Sequence, residues 1–511
     1  MRADTKTAAE REALFEKLVE LTMEREAWSD VKNQAYGVSY PEHFEQFRPL
    51  FINAHTDLEL FKAITVLSNA RNDRHLDVEV VEGGLQPELQ GVTGQIPLAF
   101  EAGFDADGAV HFFVAGIDED HFRASQADRP HISDRLVSVN GMELAEYGAL
   151  IRPYFAHSTE NHFWVRSARS FGVRNALLPQ ELQTPSYTLV LERENGERYQ
   201  LDLPFIDTSR ASMSHLLLEP RSPESYPGFE KVLDFESFDL HRPSASGVHS
   251  GRTVLIVNWY GFRSDIVEAS DALIEYAVAE GLLDHDIVWD GLRSRGGGRG
   301  AYAIQRLQGK PFRTTFGNVR ISDVIPPFIE RRVQAFEARE AASDGTRETV
   351  GGDRWQLDWL LDDVTKAIEA GQAYSNNVPF KLAHAPKWSD GIIYPAEQHF
   401  TGEMICWMSP YGGSHYDQFA AIVADNDLCH MIGMPSGGYS NTWEWEETVT
   451  WPGTDEPVVS FMWSIGHTVR PNGEVLEGNP PAVDEFFPLT ADNYQTYRRD
   501  LLRISIERLE Q

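Results

Sequence analysis

From about residue 250 the chain alternates short β-branched runs with amphipathic stretches, and no other feature restricts its fold as much. "RTVLIVNWYGF" reads as a strand, "SDIVEASDALIEYAVAEGL" as a helix, "HDIVWDGL" as a second strand, and "AYAIQRLQ", behind a run of glycines, as a second helix. That order calls for a mostly parallel sheet with helical crossovers. "GEMICWMSP" and "DLCHMIGMPS" resume the rhythm after a helical, acidic insertion at 322 to about 385.

Upstream the texture differs. Residues 8 to about 70 read as helical, with Thr56-Asp57-Leu58-Glu59 a capping box ahead of Leu60, Phe61, Ile64 and Leu67. "LDVEVV" follows as a strand. Between about 88 and 206 lie short strands and turns, including "AVHFFVAGI" and "SYTLVLERENGERYQLDL", where Glu194-Asn195-Gly196-Glu197 signals a hairpin. "ISDRLVSVNGMEL" followed by the helical "AEYGALIRPYF" resembles the carboxylate-binding half of a PDZ domain. These shifts in texture divide the chain into 1–85, 86–206 and 207–511.

With 511 residues, of which 42% are hydrophobic and 24% charged, the chain has enough apolar surface for several cores. Its 78 acidic and 45 basic side chains leave a formal charge of −33. Such a balance disfavours nucleic acid and anionic membrane as partners, because both are bound through lysine and arginine. No apolar run approaches the roughly 18 residues of a membrane span, and the N-terminus lacks the apolar segment of a secretory signal. A cytoplasmic protein is expected, with secretion after processing as the alternative. Cys406 and Cys429 are too few for a disulfide framework or a zinc cluster, and read as core positions.

Two stretches hold residues suited to chemistry. In "SPYGGSHYDQF", Ser414 precedes an apolar run and reads as a helix N-cap, with Asp417 in the first turn as a structural acid. His415 is a poor base for Ser414, since adjacent helical residues do not face each other. "GGGRGA", Gly296 to Ala301, satisfies the dinucleotide pattern Gly-x-Gly-x-x-Ala, yet no acidic residue closes a second strand at the expected distance. The same glycines would equally let a backbone N–H approach a reacting carbonyl. Trp443 and Trp445 alternate as strand residues that pack.

Asp290-Gly291-Leu292-Arg293-Ser294-Arg295-Gly296-Gly297 resembles the Asp-Leu-Arg-x-Asn-x-Gly-Gly turn of the C-terminal-processing (tail-specific) serine proteases, with Ser294 in place of Asn. The Ser414-to-Phe419 stretch resembles that family's nucleophile, and "VADNDLCHMIGMPSGG" its next strand and turn. Where many members carry a lysine base, this chain has Tyr439. Asn72-Asp73-Arg74-His75 instead resembles the Asp-x-His of the histidine-using branch, which includes the tricorn core protease and the chlamydial secreted protease. "RPNGEVLEGNPPAVDEFFPLT" resembles that branch's glutamate turn, with Glu477 the better match and Glu474 its rival.

The resemblance implies a multidomain α/β protein: an N-terminal helical region carrying His75, a PDZ-like β domain, and a ClpP/crotonase-like core. It implies a serine endopeptidase with Ser414 as nucleophile, His75 as base and Glu477 as orienting acid. Gly296, Gly297 and His415 would supply the oxyanion N–H groups. The substrate would be a peptide or protein, with neither metal nor cofactor, and relatives on this branch assemble into oligomers. A non-catalytic binding protein on the same fold is the alternative.

Overall fold

The computed structural model describes residues 6–29, 34, 40–88, 94–122, 129–206, 226–244, 254–342, 354–380, 391–441 and 443–511. It is a mixed α/β structure with several sheets, the largest of seven strands. That sheet runs Phe229–Asp234, Phe238–Pro243, Val254–Trp259, Asp286–Asp290, Met404–Met408, His430–Gly433, Glu485–Phe486. The first two pairings are antiparallel and the other four parallel.

The strand period of two decides which helices cover which face. Leu255, Val257, Ile287, Trp289, Cys406 and Met408 pack with the helices Ile266–Glu280, Gly300–Leu307 and His415–Asp425. Their neighbours Val254, Ile256, Val288, Ile405, Trp407 and Ile432 face the C-terminal helix Tyr497–Leu509. Both faces are therefore buried, which explains the almost continuous apolar composition of the inner strands. Cys406 lies within this core, while Cys429 is partly buried at its edge.

The N-terminal helices Ala8–Arg25 and Asp57–Asn69 each begin with a capping box, Thr7 with Glu10 and Thr56 with Glu59. They share a core with the hairpin Glu444–Thr450/Pro457–Ser464 and with the helix Ile325–Ala342. Trp443 and Trp445 are packing residues there. Of "LDVEVV" only Val78–Glu79 is a strand, paired with Phe461 and Ser460.

The middle of the chain has its own core and a six-stranded sheet in the order Leu98–Phe104, Val110–Ile117, Arg135–Val139, Ser186–Glu192, Arg198–Pro204, with Met142–Glu143 beside Arg135–Val139. The helix Glu160–Ser170 packs on Leu98–Phe104. The 206/207 division falls at the edge of 207–225, and the expected end of the insertion at 385 falls in 381–390, both outside the described residues. Among the described residues no helix is long and apolar enough to cross a membrane.

Candidate active site

Ser414 occupies the N-cap of His415–Asp425 with φ 61° and ψ −126°. Few non-glycine residues adopt such a backbone, and it is retained only where surrounding contacts enforce it. Three contacts do so. The Ser414 N–H donates to the Tyr439 carbonyl, and the Ser414 carbonyl accepts from the N–H groups of Asp417 (3.0 Å) and Gln418 (3.3 Å). The side chain makes no capping bond, so the expected Ser-x-x-Asp cap exists in position only. The positive φ explains this, since side-chain capping uses an extended N-cap residue.

Glycines bring the chain this close. A Cβ on Gly296 would lie 2.5 Å from Ser414 Cβ and 2.9 Å from its Oγ. A Cβ on Gly413 would lie within the Tyr439 ring's contact radius. The strand Arg295–Gly297 thus lies directly against the hydroxyl. Gly297 has φ +146° and packs on the Phe262 carbonyl, which leaves no room for a side chain.

The His415 ring points away from Ser414. It is buried and accepts a hydrogen bond from Gly300 N at 2.7 Å through Nε2. Burial pushes it down to about 4, with a Gln418 contact opposing, so it stays neutral. This contact also bears on the dinucleotide pattern. The N–H that opens the Gly300–Leu307 helix is satisfied by a histidine ring, where a pyrophosphate would need it.

His75 sits beyond Tyr439. The two rings meet edge to face at 5.3 Å between centroids, and His162, from the middle of the chain, stacks on Tyr439 at 4.6 Å. His75 Nδ1 is 3.6 Å from Asp73 Oδ1, whose carboxylate is buried. Burial lowers the ring's proton affinity, but the nearby Asp73 carboxylate and the charges of Glu444 and Glu477 outweigh it and raise the pKa to about 9. Among the described residues no hydrogen bond joins Ser414 to His75; Tyr439 is the residue in contact with both surroundings.

Glu477 is buried and accepts from the N–H groups of Ser440 (2.6 Å) and Asn441 (3.2 Å). Asn441 Nδ2 in turn donates to Asp73 at 2.7 Å. Glu474 lies apart, with Asn472, Asn479 and Arg470 as partners. Asp417 accepts from Gly438 N at 2.9 Å and so holds the turn before Tyr439. Burial pushes Asp417 up to about 7 despite Ser436 and Gly438 contacts, and the Glu477 charge pushes the same way.

Thus Gly296 lies against Ser414 and the His415 backbone follows it, while His75 meets Tyr439, whose ring abuts Gly413, and the Glu477 charge acts on His75. Two further acids, Asp73 and Glu444, act on the His75 ring. Asp73 was visible two residues before His75, whereas Glu444, which burial raises to about 7 against the His75 charge, has no local signature.

Solved structures of CPAF share this fold. Mature CPAF is 14% identical over 97% of this chain and 96% of that chain, with a TM-score of 0.70. Mature CPAF complexed with lactacystin is 13% identical over 98% of this chain and 99% of that chain, with a TM-score of 0.69. The photosystem II D1 C-terminal processing protease also matches, at 11% identity over 93% of this chain and 92% of that chain, with a TM-score of 0.39. No family model matches the chain, and no curated protein matches its sequence. The chain has the CPAF fold.

Proposed function

We propose that this chain is a serine endopeptidase, with an N-terminal helical region, a PDZ-like middle domain and a catalytic α/β core. The observation that carries the reading is Ser414: a strained N-cap whose hydroxyl does no capping and lies against Gly296. A half-buried hydroxyl at a helix N-terminus, against a glycine of the neighbouring strand, is suited to acyl transfer. The Ser414 Oγ attacks the substrate carbonyl carbon while neutral His75 takes its proton. Negative charge builds on the carbonyl oxygen, opposite the N–H groups of His415 and of Gly296 or Gly297. The C–N bond then breaks, His75 returns the proton to the leaving amine, and an acyl-enzyme remains on Ser414. Water, deprotonated by His75, releases the acid. Glu477 stabilises the imidazolium through the Asp73/Asn441 network. This sequence needs neither metal nor nucleotide, and its substrate is a peptide or protein.

The second reading, a binding protein without catalysis, draws on Tyr439, which stands in the lysine position with its ring against His75. A fluorophosphonate separates the two. Native protein should form a stoichiometric adduct on Ser414 by mass spectrometry, and S414A should form none. Folded protein that stays unmodified at Ser414 supports the binding reading.

A further inference from the structure

The chain has two cysteines, and the fold brings them together. Cys406 lies in the strand Met404–Met408, and the parallel register sets it opposite Met431 of His430–Gly433. Side chains alternate along a strand, so Cys429, two residues before Met431, returns to the face that Cys406 uses. Both pack on the same apolar core, and their thiols are hydrogen-bonded to each other. Their exposure differs. Cys406 is fully buried, whereas Cys429 is half-buried and lines a cleft of about 720 Å³ with Lys310, His399 and Arg508.

The two thiols therefore suit different steps. Burial, with the Cys429 contact adding to it, holds the Cys406 thiol well above its ordinary value, so it stays protonated and out of reach of solutes. Cys429 is open to a small solute through the cleft. The surroundings also decide which backbone yields. A disulfide brings its sulfurs to about 2.05 Å, closer than any thiol–thiol hydrogen bond. Met404–Met408 is held between two parallel neighbours, Asp286–Asp290 and His430–Gly433. Cys429 instead sits in the bend between the helix His415–Asp425 and the strand His430–Gly433. The bend is the freer partner.

We propose that Cys429 and Cys406 form a peroxide-sensitive dithiol whose disulfide resets the turn that carries Tyr439. The Cys429 thiolate attacks one peroxide oxygen, the O–O bond breaks, and the hydroxide leaves as water with the thiol's proton, which makes a sulfenic acid. The Cys406 sulfur then attacks the sulfenic sulfur. The S–O bond breaks, and the Cys406 proton leaves with the hydroxide as a second water. Two thiols are oxidised to one disulfide, and hydrogen peroxide is reduced to two waters. Both strands run from these cysteines into the candidate site, Met404–Met408 toward Ser414 and His430–Gly433 toward Tyr439. There the Gly437 N–H donates to the Gly412 carbonyl at 2.7 Å and the Ser414 N–H to the Tyr439 carbonyl, so a shift of one strand end reaches both loops. The dithiol stands whether or not Ser414 is a nucleophile; only its effect on Ser414 reactivity rests on that reading.

Reduced full chain exposed to hydrogen peroxide, followed by intact mass and non-reducing peptide mapping, tests the pair. The mass should fall by two hydrogens, with Cys406 joined to Cys429, and dithiothreitol should reverse the change. C406S should stop at a sulfenic acid on Cys429 that dimedone traps, and C429S should stay unmodified at Cys406. Amide hydrogen exchange reads the turn: across 430–441 the disulfide form should exchange at rates shifted about tenfold or more from the reduced form. Fluorophosphonate labelling at Ser414 should slow about tenfold or more on oxidation, since a misplacement of about 1 Å can cost about a hundredfold. An unchanged mass, a disulfide only between chains, Cys406 oxidised in C429S, or a disulfide that leaves exchange across 430–441 unaltered overturns the proposal. Reduced protein that takes no fluorophosphonate counts against the serine-protease reading alone, because mass and exchange are read without it.

Discussion

Burial alone would make His75 a weaker base, yet neighbouring carboxylates reverse the sign. With its pKa raised to about 9 by Asp73, Glu444 and Glu477 against burial, the ring is mostly imidazolium at neutral pH. Proton abstraction needs the neutral ring, so the reactive fraction grows about tenfold per pH unit up to that value. The rate of fluorophosphonate reaction at Ser414 should therefore climb from pH 6 and level off near about 9. D73N removes the nearest charge and should move the inflection toward the ordinary histidine range near 6.5. An inflection already near 6.5 in the unsubstituted protein would contradict the carboxylate environment. Stability runs the opposite way. The raised pKa contributes stability that is complete below about 6.5, the ring's ordinary value, and is lost as pH rises through about 9.

At the scale of elements, the two helices that open beside Ser414 are joined through one side chain. His415 Nε2 satisfies the buried Gly300 N–H, so H415A leaves that donor without its acceptor and should cost about 1–3 kcal/mol in urea unfolding. The same variant asks whether His415 is a base. If the ring faces away, the pH profile of labelling at Ser414 should keep its inflection in folded H415A. Loss of the inflection with the fold intact would assign proton transfer to His415. Elements with local grammar were legible in the sequence: the Thr56/Glu59 capping box, the hairpin around Gly196, and the strands Met404–Met408 and His430–Gly433. "LDVEVV" shrank to Val78–Glu79 because it pairs with only two residues of a hairpin formed nearly four hundred positions later. Ser414 was legible as the start of a helix, but its positive-φ backbone was not. That conformation depends on Tyr439 and Gly296, contacts no local pattern announces. Glu444 and Asn441 likewise reach His75 and Asp73 only through tertiary packing.

Across the whole molecule, the candidate site exists only where separate parts of the chain dock. His75 comes from the N-terminal helical region, Ser414 from the core, and Thr159 and His162 from the middle segment, Thr159 donating to the Gly437 carbonyl at 2.9 Å. The docking of the His75 segment rests on a buried ion pair. Arg71 and Glu26 are each 1% exposed at 3.2 Å, Arg71 also donates to the Met462 carbonyl at 2.7 Å, and Glu26 accepts from Ser464 N. Breaking one side of such a pair strands the other charge in a medium that cannot solvate it, at about 3–5 kcal/mol. Replacing both by apolar residues removes the stranded charge and recovers part of the loss. E26Q should therefore lower the urea midpoint sharply, and E26L/R71M should recover part of it. If Arg71 fixes the His75 loop as well as the fold, labelling at Ser414 should stay slow in E26L/R71M even where its stability returns. Labelling restored in step with stability would mean that the pair serves the fold alone and that His75 finds its position through Asp73 and Asn441.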